Sequence, residues 1–289
     1  MKRIAALYTC HNRKVKTLAS LSTLYKAKLK STNDFQLTIY LTDDGSTDGT
    51  SKAVKEQFPN VTIIAGSGDL FWSEGMRVSW KKALENNYDA YLLLNDDVEI
   101  YDSVFDQLFE AHKYCLNQFN KPGIYIGATE NKNTGELTYS GSLVLNKFLY
   151  TQRRLAPNGN FQSCDLANAN IMLVTREVVE QIGIFPEGYS HGISDYHYSL
   201  TASRNNIPVL VAKAYCGHCL FDHAYIYDDF ATKSFDERKK ILNNPTGLAL
   251  DSYKKYMRRF FPFRYPFVAF FGWFKLYFPK IYVSYFTRR

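Results

Sequence analysis

Four short apolar runs fall in the first hundred residues: Ile4–Tyr8, Phe35–Leu41, Val61–Ala65 and Ala90–Leu94. Segments of helical spacing lie between them. Val15, Leu18, Leu21, Leu24 and Tyr25 recur at the interval that places side chains on one helix face. Thr50–Phe58, stopped by Pro59, and Trp72–Asn86 read as two further helices. Strands separated by helices predict an α/β fold with a mostly parallel, Rossmann-like sheet and helices on both faces. The fourth run, Ala90-Tyr91-Leu92-Leu93-Leu94, has no polar alternation, which suits a central strand covered on both sides.

After Phe119 the rhythm changes. Gly123–Thr129 reads as a strand, Asn131–Leu137 as a turn and Thr138–Val144 as an alternating strand. Asn170–Val174 predicts a strand and Arg176–Ile182 a helix. The turn-forming stretch Gly183–Asp195 then leads to a helix over Tyr196–Arg204 and a strand over Pro208–Ala212. With 289 residues, 46% hydrophobic and 22% charged, the chain can bury a sizeable core. The expected organisation is a catalytic domain over 1–250, with a nucleotide-binding half over about 1–120 and an acceptor half over about 121–250, followed by a separate segment over 251–289.

That last segment carries the chain's basic character. From Ser252 onward there is no Asp or Glu, and nine Lys or Arg give +9. The whole chain is +7, so residues 1–251 carry −2. The segment interleaves its cations with aromatic rings, a composition that fits an anionic membrane surface. Pro262, Pro266 and Pro279 divide it, against one long spanning helix. Its rings have two plainer uses, packing on the catalytic domain or a contact between copies in a homo-oligomer. A nucleic-acid groove is the weakest reading, because the body is slightly acidic and shows no RNA-binding motif. Five scattered cysteines fit reduced thiols, and the lone Cys216–Cys219 pair falls short of a structural zinc site. The start of the chain lacks a signal peptide's apolar core, so the expected location is cytoplasmic, peripheral on the inner face of the cell membrane.

In open α/β sheets ligands bind at the carboxyl ends of the strands. Three polar clusters follow such ends: Thr9-Cys10-His11-Asn12-Arg13, Asp43-Asp44-Gly45-Ser46 and Asn95-Asp96-Asp97. Asp43 and Asp44 have a plainer use in a turn, and Asp48 reads as a helix cap. Adjacent carboxylates at Asp96 and Asp97 repel one another and are costly to bury unpaired. The plainer reading is a solvated strand end or a cap for the helix near Ser103, and the sharper one is a divalent metal site. Hard oxygen ligands suit Mg²⁺ or Mn²⁺, which bridge carboxylates to substrate phosphates and stabilise a departing diphosphate.

The ordered set "TIYLTDDGSTDGT", Arg77 in a helix, "YLLLNDDVEI", "GISDYHYSL" and "AYCGH" resembles glycosyltransferase family 2, across roughly residues 3–220. These are inverting enzymes of the GT-A fold, found among bacterial cell-surface polysaccharide glycosyltransferases. The resemblance implies that Asp44 contacts the nucleotide base, with Thr9, Arg13 and Asp43 nearby. It implies that Asp96 and Asp97 fill the acidic metal and diphosphate site, Asp97 as metal ligand, and that Arg77 lies near the nucleotide. Asp195 would be the general base and His218 a further metal ligand, with His223 its competitor. The sequence departs from the family pattern at Ser194, His197 and Ala169-Asn170. Trp72 and His191 are candidates to line the donor or acceptor cleft, although Trp72 suits a core role equally.

The expected function is transfer of a sugar from a nucleotide-diphosphate donor, UDP favoured and dTDP the second choice, to a hydroxyl of a glycan or lipid-linked acceptor. One carboxylate must deprotonate the acceptor on the face opposite the leaving diphosphate, so it stands apart from the metal pair. The alternatives are a sugar nucleotidyltransferase, which would show a Gly-rich phosphate loop after the first strand, and a catalytically silent glycan-binding or membrane-scaffold protein.

Overall fold

The computed structural model describes residues 1–220, 227 and 229–287. Its first part is β1 (Arg3–Cys10), α1 (Lys14–Lys30), β2 (Gln36–Asp43), α2 (Thr50–Gln57), β3 (Thr62–Ala65), α3 (Phe71–Ala83) and β4 (Ala90–Leu94). Then come β5 (Glu99–Ile100), α4 (Val104–Phe119), β6 (Ile124–Glu130), β7 (Leu137–Tyr139), β8 (Gly141–Asn146), β9 (Thr151–Arg154), β10 (Gln162–Ser163) and β11 (Leu166–Ala167). The remainder is β12 (Ile171–Thr175), α5 (Arg176–Ile182), α6 (Ser194–Arg204), β13 (Val209–His218), α7 (Phe235–Asn243), α8 (Leu250–Phe260), α9 (Tyr265–Tyr277) and α10 (Pro279–Phe286).

The central sheet runs β10-β13-β6-β12-β4-β1-β2-β3. β4, β1, β2 and β3 are mutually parallel, so their carboxyl ends share one edge. β12 runs against both β4 and β6, with Ile171 opposite Leu94. That reversal brings the residues just before β12 beside the residues just after β4. A small second sheet, β11-β8-β9, is antiparallel.

The five residues of β4 are all buried and alternate between two cores. Ala90, Leu92 and Leu94 face the side of α1 and α4, whereas Tyr91 and Leu93 face the side of α3, α5 and α6. The absence of polar alternation in this run is therefore the mark of a doubly covered strand. The stretch expected as one alternating strand over Thr138–Val144 is two strands, broken at Ser140. β13 is longer than the predicted Pro208–Ala212, because it continues along β6 through register shifts between Val211 and Gly217. A bulged strand loses the period of two that sequence reading relies on.

The C-terminal segment is three helices cut at the prolines, and α8 joins the body. Tyr256, Met257 and Phe260 pack with Tyr189 from the loop before α6 and with Phe261. Among the described residues, no helix is long and apolar enough to cross a membrane.

Candidate active site

The acidic pair ends β4 and is met by α1. Arg13 Nη1 donates to Asp96 Oδ1 at 3.0 Å and to Asp97 Oδ2 at 2.9 Å. Asp96 is also held by Thr17, whose Oγ1 lies 3.3 Å from Oδ2. Burial pushes the Asp96 carboxyl up to about 6, against the pull of Arg13. Burial works against the Arg13 charge, but Asp96 and Asp97 outweigh it and raise the guanidinium pKa. Beneath the pair lies a polar layer. Trp72 Nε1 donates to Asn95 Oδ1 at 2.7 Å, and Asn95 N–H donates to the Asn170 carbonyl at 3.2 Å. Asn170 Nδ2 reaches Cys219 Sγ at 3.9 Å, and that thiol faces Asp97 Oδ1 at 3.7 Å. Asn170 and Cys219 were not expected at the site. A strand residue opposite Asn95 could have been sought from the antiparallel pairing, but the thiol left no signal.

Asp43 and Asp44 are both buried and both engaged. Asp43 accepts the Ser46 N–H at 2.9 Å and the Ser51 hydroxyl. Asp44 accepts the N–H groups of Gly68 (2.8 Å) and Phe71 (2.9 Å), so it folds the loop between β3 and α3. Asp48, one residue before the N-cap Gly49, accepts the Thr50 N–H at the start of α2 at 3.0 Å. Thr9 is buried under α3, where a Cβ on Gly75 would lie 2.9 Å from Thr9 Cβ. Only glycine permits that approach.

Arg77 is buried and each of its three nitrogens donates a hydrogen bond within the protein. It donates to Glu74 Oε2 at 2.9 Å, to Glu187 Oε1 at 2.5 Å and to the Phe185 carbonyl. Gly188 N–H to Glu74 Oε1 at 3.3 Å and Ser73 N–H to the Ser190 carbonyl at 3.1 Å complete a latch between α3 and the loop before α6. His191 is half-buried in that latched loop, and Trp72 packs its ring 5.7 Å from Phe185.

Asp195 stands at the start of α6, apart from the acidic pair. Its Oδ2 accepts the Ala169 N–H at 3.2 Å and its Oδ1 the Tyr196 N–H at 2.8 Å. Burial drives its carboxyl up to about 6, against the backbone donors and Asn168. Ala169 precedes Asn170, so the backbone connects Asp195 to Asn95 through two hydrogen bonds. His197, where the resembled family commonly has an acid, is buried and bonds Tyr189 Oη through Nδ1 at 2.7 Å. Burial first, then Arg259, Lys255 and Arg204, lowers it to about 4.

The carboxylate pair offers the hard oxygens that Mg²⁺ and Mn²⁺ take. His218 ends β13, its Nε2 buried without a hydrogen bond and 3.4 Å from Glu99 Oε1. No group of three His, Cys, Asp or Glu gathers among the described residues. In the structure the cation beside both carboxylates is the Arg13 guanidinium. His223 lies outside the described residues.

Parallel strands delivering acids to one edge, an antiparallel β12 beside them and α6 with Asp195 beyond make a mixed α/β fold of the GT-A type. Among solved structures, S. aureus TarS 1–349 matches with a TM-score of 0.52 at 15% identity, over 100% of this chain and 76% of that one. The crystal structure of TarS 1–349 in complex with UDP-GlcNAc matches at 0.51 and 16% identity, over 91% of this chain and 73% of that one. No protein-family model matches the chain, and no curated protein matches it by sequence.

Proposed function

We propose that the protein is an inverting, metal-dependent glycosyltransferase that moves a sugar from a nucleotide-diphosphate donor, UDP first and dTDP second, to a hydroxyl of a glycan. The observation that carries the reading is the separation of acids. Asp96 and Asp97 sit together after β4 with Arg13, while Asp195 sits at the start of α6, held by the Ala169 and Tyr196 N–H groups. The UDP-GlcNAc complex of TarS, on the same fold, supports a nucleotide-sugar donor.

In this reading the acceptor hydroxyl attacks the anomeric carbon and the bond from that carbon to the diphosphate oxygen breaks. Asp195 takes the hydroxyl proton, and a base near neutrality is suited to that transfer. The diphosphate leaves on the opposite side, beside Arg13 and the acidic pair. Asp97, with Asp96 beside it and His218 as the further expected ligand, would hold Mn²⁺ or Mg²⁺, which supplies charge stabilisation to the leaving oxygens. Asp44 and Asp43 shape the nucleotide side through the turns that they hold. The acceptor is lipid-linked and met at an anionic membrane from the cytoplasmic side.

A donor panel tests this: thermal shift and hydrolysis with UDP-, dTDP-, GDP- and CMP-sugars, each with and without Mn²⁺. The expected result is metal-dependent binding of one donor class and slow hydrolysis. Asp195→Asn should bind the same donor and turn over about 10²–10⁴-fold more slowly. Wild type that turns over no nucleotide sugar with any acceptor tried, or that binds donors equally without metal, would count against the reading.

A further inference from the structure

We propose that one outer face of α9, continued on α10, is the surface that seats the protein on anionic lipid. This deepens the membrane-presented acceptor proposed above and rests on that reading for its purpose. α9 is apolar on two sides. Its inner side is spoken for: Gly272 lies so close to Leu250 that a Cβ would fall 3.0 Å from the Leu250 side chain, and Leu276 packs beside Phe230, Leu242 and Leu250. Its outer side carries Phe267, Phe270, Trp273 and Tyr277, spaced by three or four residues and so aligned in one stripe. These four rings are 43–54% exposed. Phe270 and Trp273 lie with centroids at 6.0 Å, Trp273 and Tyr277 at 5.1 Å, and Phe278 extends them at 5.7 Å from Trp273, while Phe267 meets Phe148 at 5.6 Å. A contiguous exposed apolar surface of this kind marks an interaction site.

Charge selects the occupant. At this face Arg264 lies 5.8 Å over the Phe267 ring and Lys280 is exposed at the start of α10, in a segment that holds no acid after Asp251. A twofold contact between copies would lay this face on itself and bring like charge to like charge. Anionic headgroups complement it, and Trp and Tyr rings suit the headgroup level. Since no described helix can cross a membrane, α9 and α10 lie along the interface.

Trp273 reports on this directly. The chain has three tryptophans; Trp80 is fully buried and Trp72 is half-buried with its Nε1 bonded to Asn95. With vesicles containing phosphatidylglycerol the full-length protein should float, and its fluorescence should shift to the blue and be quenched by brominated acyl chains. Pure phosphatidylcholine, or high salt, should weaken binding about tenfold. The triple variant Phe270→Ser, Trp273→Ser, Tyr277→Ser should lose flotation while keeping its circular dichroism and its donor thermal shift. Equal flotation of variant and wild type, or no flotation of wild type on anionic vesicles, overturns the proposal. So does a wild-type dimer that the triple variant dissolves without any lipid binding. If wild type floats but binds no nucleotide sugar, the lipid surface stands and the glycosyltransferase reading falls.

Discussion

Arg13 and Asp97 meet at 2.9 Å, and the same guanidinium nitrogen stands 3.0 Å from Asp96. The cation that tolerates two adjacent carboxylates thus comes partly from the chain itself, from the start of α1. Removing it leaves Asp96, buried, beside Asp97 with no basic partner. Arg13→Ala should lower stability by about 1–2 kcal/mol, a figure reduced from the usual buried-pair cost because Arg13 is partly solvent-exposed. If the pair seats a divalent ion, Mn²⁺ should raise the melting temperature of Arg13→Ala by more than it raises that of wild type. An equal Mn²⁺ effect on both proteins would argue against ion binding at Asp97. Arg13→Lys should fall between, since a point charge bridges two carboxylates less well than a planar guanidinium.

Asp195 and His197 make opposite demands on pH. Asp195 titrates near 6 in the folded chain and near 3.8 when free, so between those values the folded state holds more protons and stability falls as pH rises. The ionised, buried Asp195 therefore costs about 3 kcal/mol at neutral pH. His197 titrates near 4 folded and near 6.5 free, so between those values the unfolded state holds more protons and stability rises with pH. The two windows overlap from about 4 to 6, and the contributions oppose one another. Asp96, raised to about 6 as well, adds a second falling contribution, so the two assignments are read from the differences between each variant and wild type in chemical denaturation. Asp195→Asn should become more stable relative to wild type as pH rises to 7, and His197→Gln should steepen the fall that Asp195 causes. Parallel pH profiles for all three proteins would refute both assignments. With Asp195 in the proposed role of base, turnover should rise through pH 6.

What could be read in the sequence follows from how local each feature is. β4 and α5 match their predicted bounds because their signals are self-contained: an unbroken apolar run and a short helix directly after a strand. The turn chemistry of Asp43, three residues from Ser46, is local too, and its plainer use is realised in the hydrogen bond that folds the turn. The Arg13 bridge spans more than eighty positions, and the Asp195–Ala169 bond spans 26. No periodicity encodes such contacts. Only the shared sheet edge and the antiparallel return of β12 bring them together. His197 shows the same limit. In sequence it is an acid replaced by a base; in the fold it is a neutral ring between Tyr189 and Phe260.

Arg77 was expected beside the nucleotide; in the structure it donates to Glu74, Glu187 and the Phe185 carbonyl and so ties α3 to the loop that leads to Asp195. Arg77→Ala should cost about 2 kcal/mol through the lost hydrogen bonds, since the carboxylates left behind can be solvated. Protease cleavage within residues 183–193 should accelerate. In the proposed mechanism donor affinity should hold while kcat falls, because the loop leads into α6 and Asp195. A large loss of donor affinity with unchanged loop protection would return Arg77 to the nucleotide.

The C-terminal helices divide by what their rings touch, and two substitutions separate the parts. Phe260 of α8 is buried, with its ring 4.8 Å from His197 and 5.4 Å from Tyr256. Phe260→Ala opens a cavity in that cluster and should cost about 3 kcal/mol. It should also raise the His197 pKa as water reaches the imidazole, visible as a shifted titration by NMR. Trp273→Ser removes a ring that is half in solvent, so its effect on stability should stay within about 0.5 kcal/mol. Equal destabilisation by the two would mean that α9 is as much a part of the core as α8. The expected inequality makes α8 a support for the loop and helix that position Asp195, and leaves the outer face of α9 free to serve a surface.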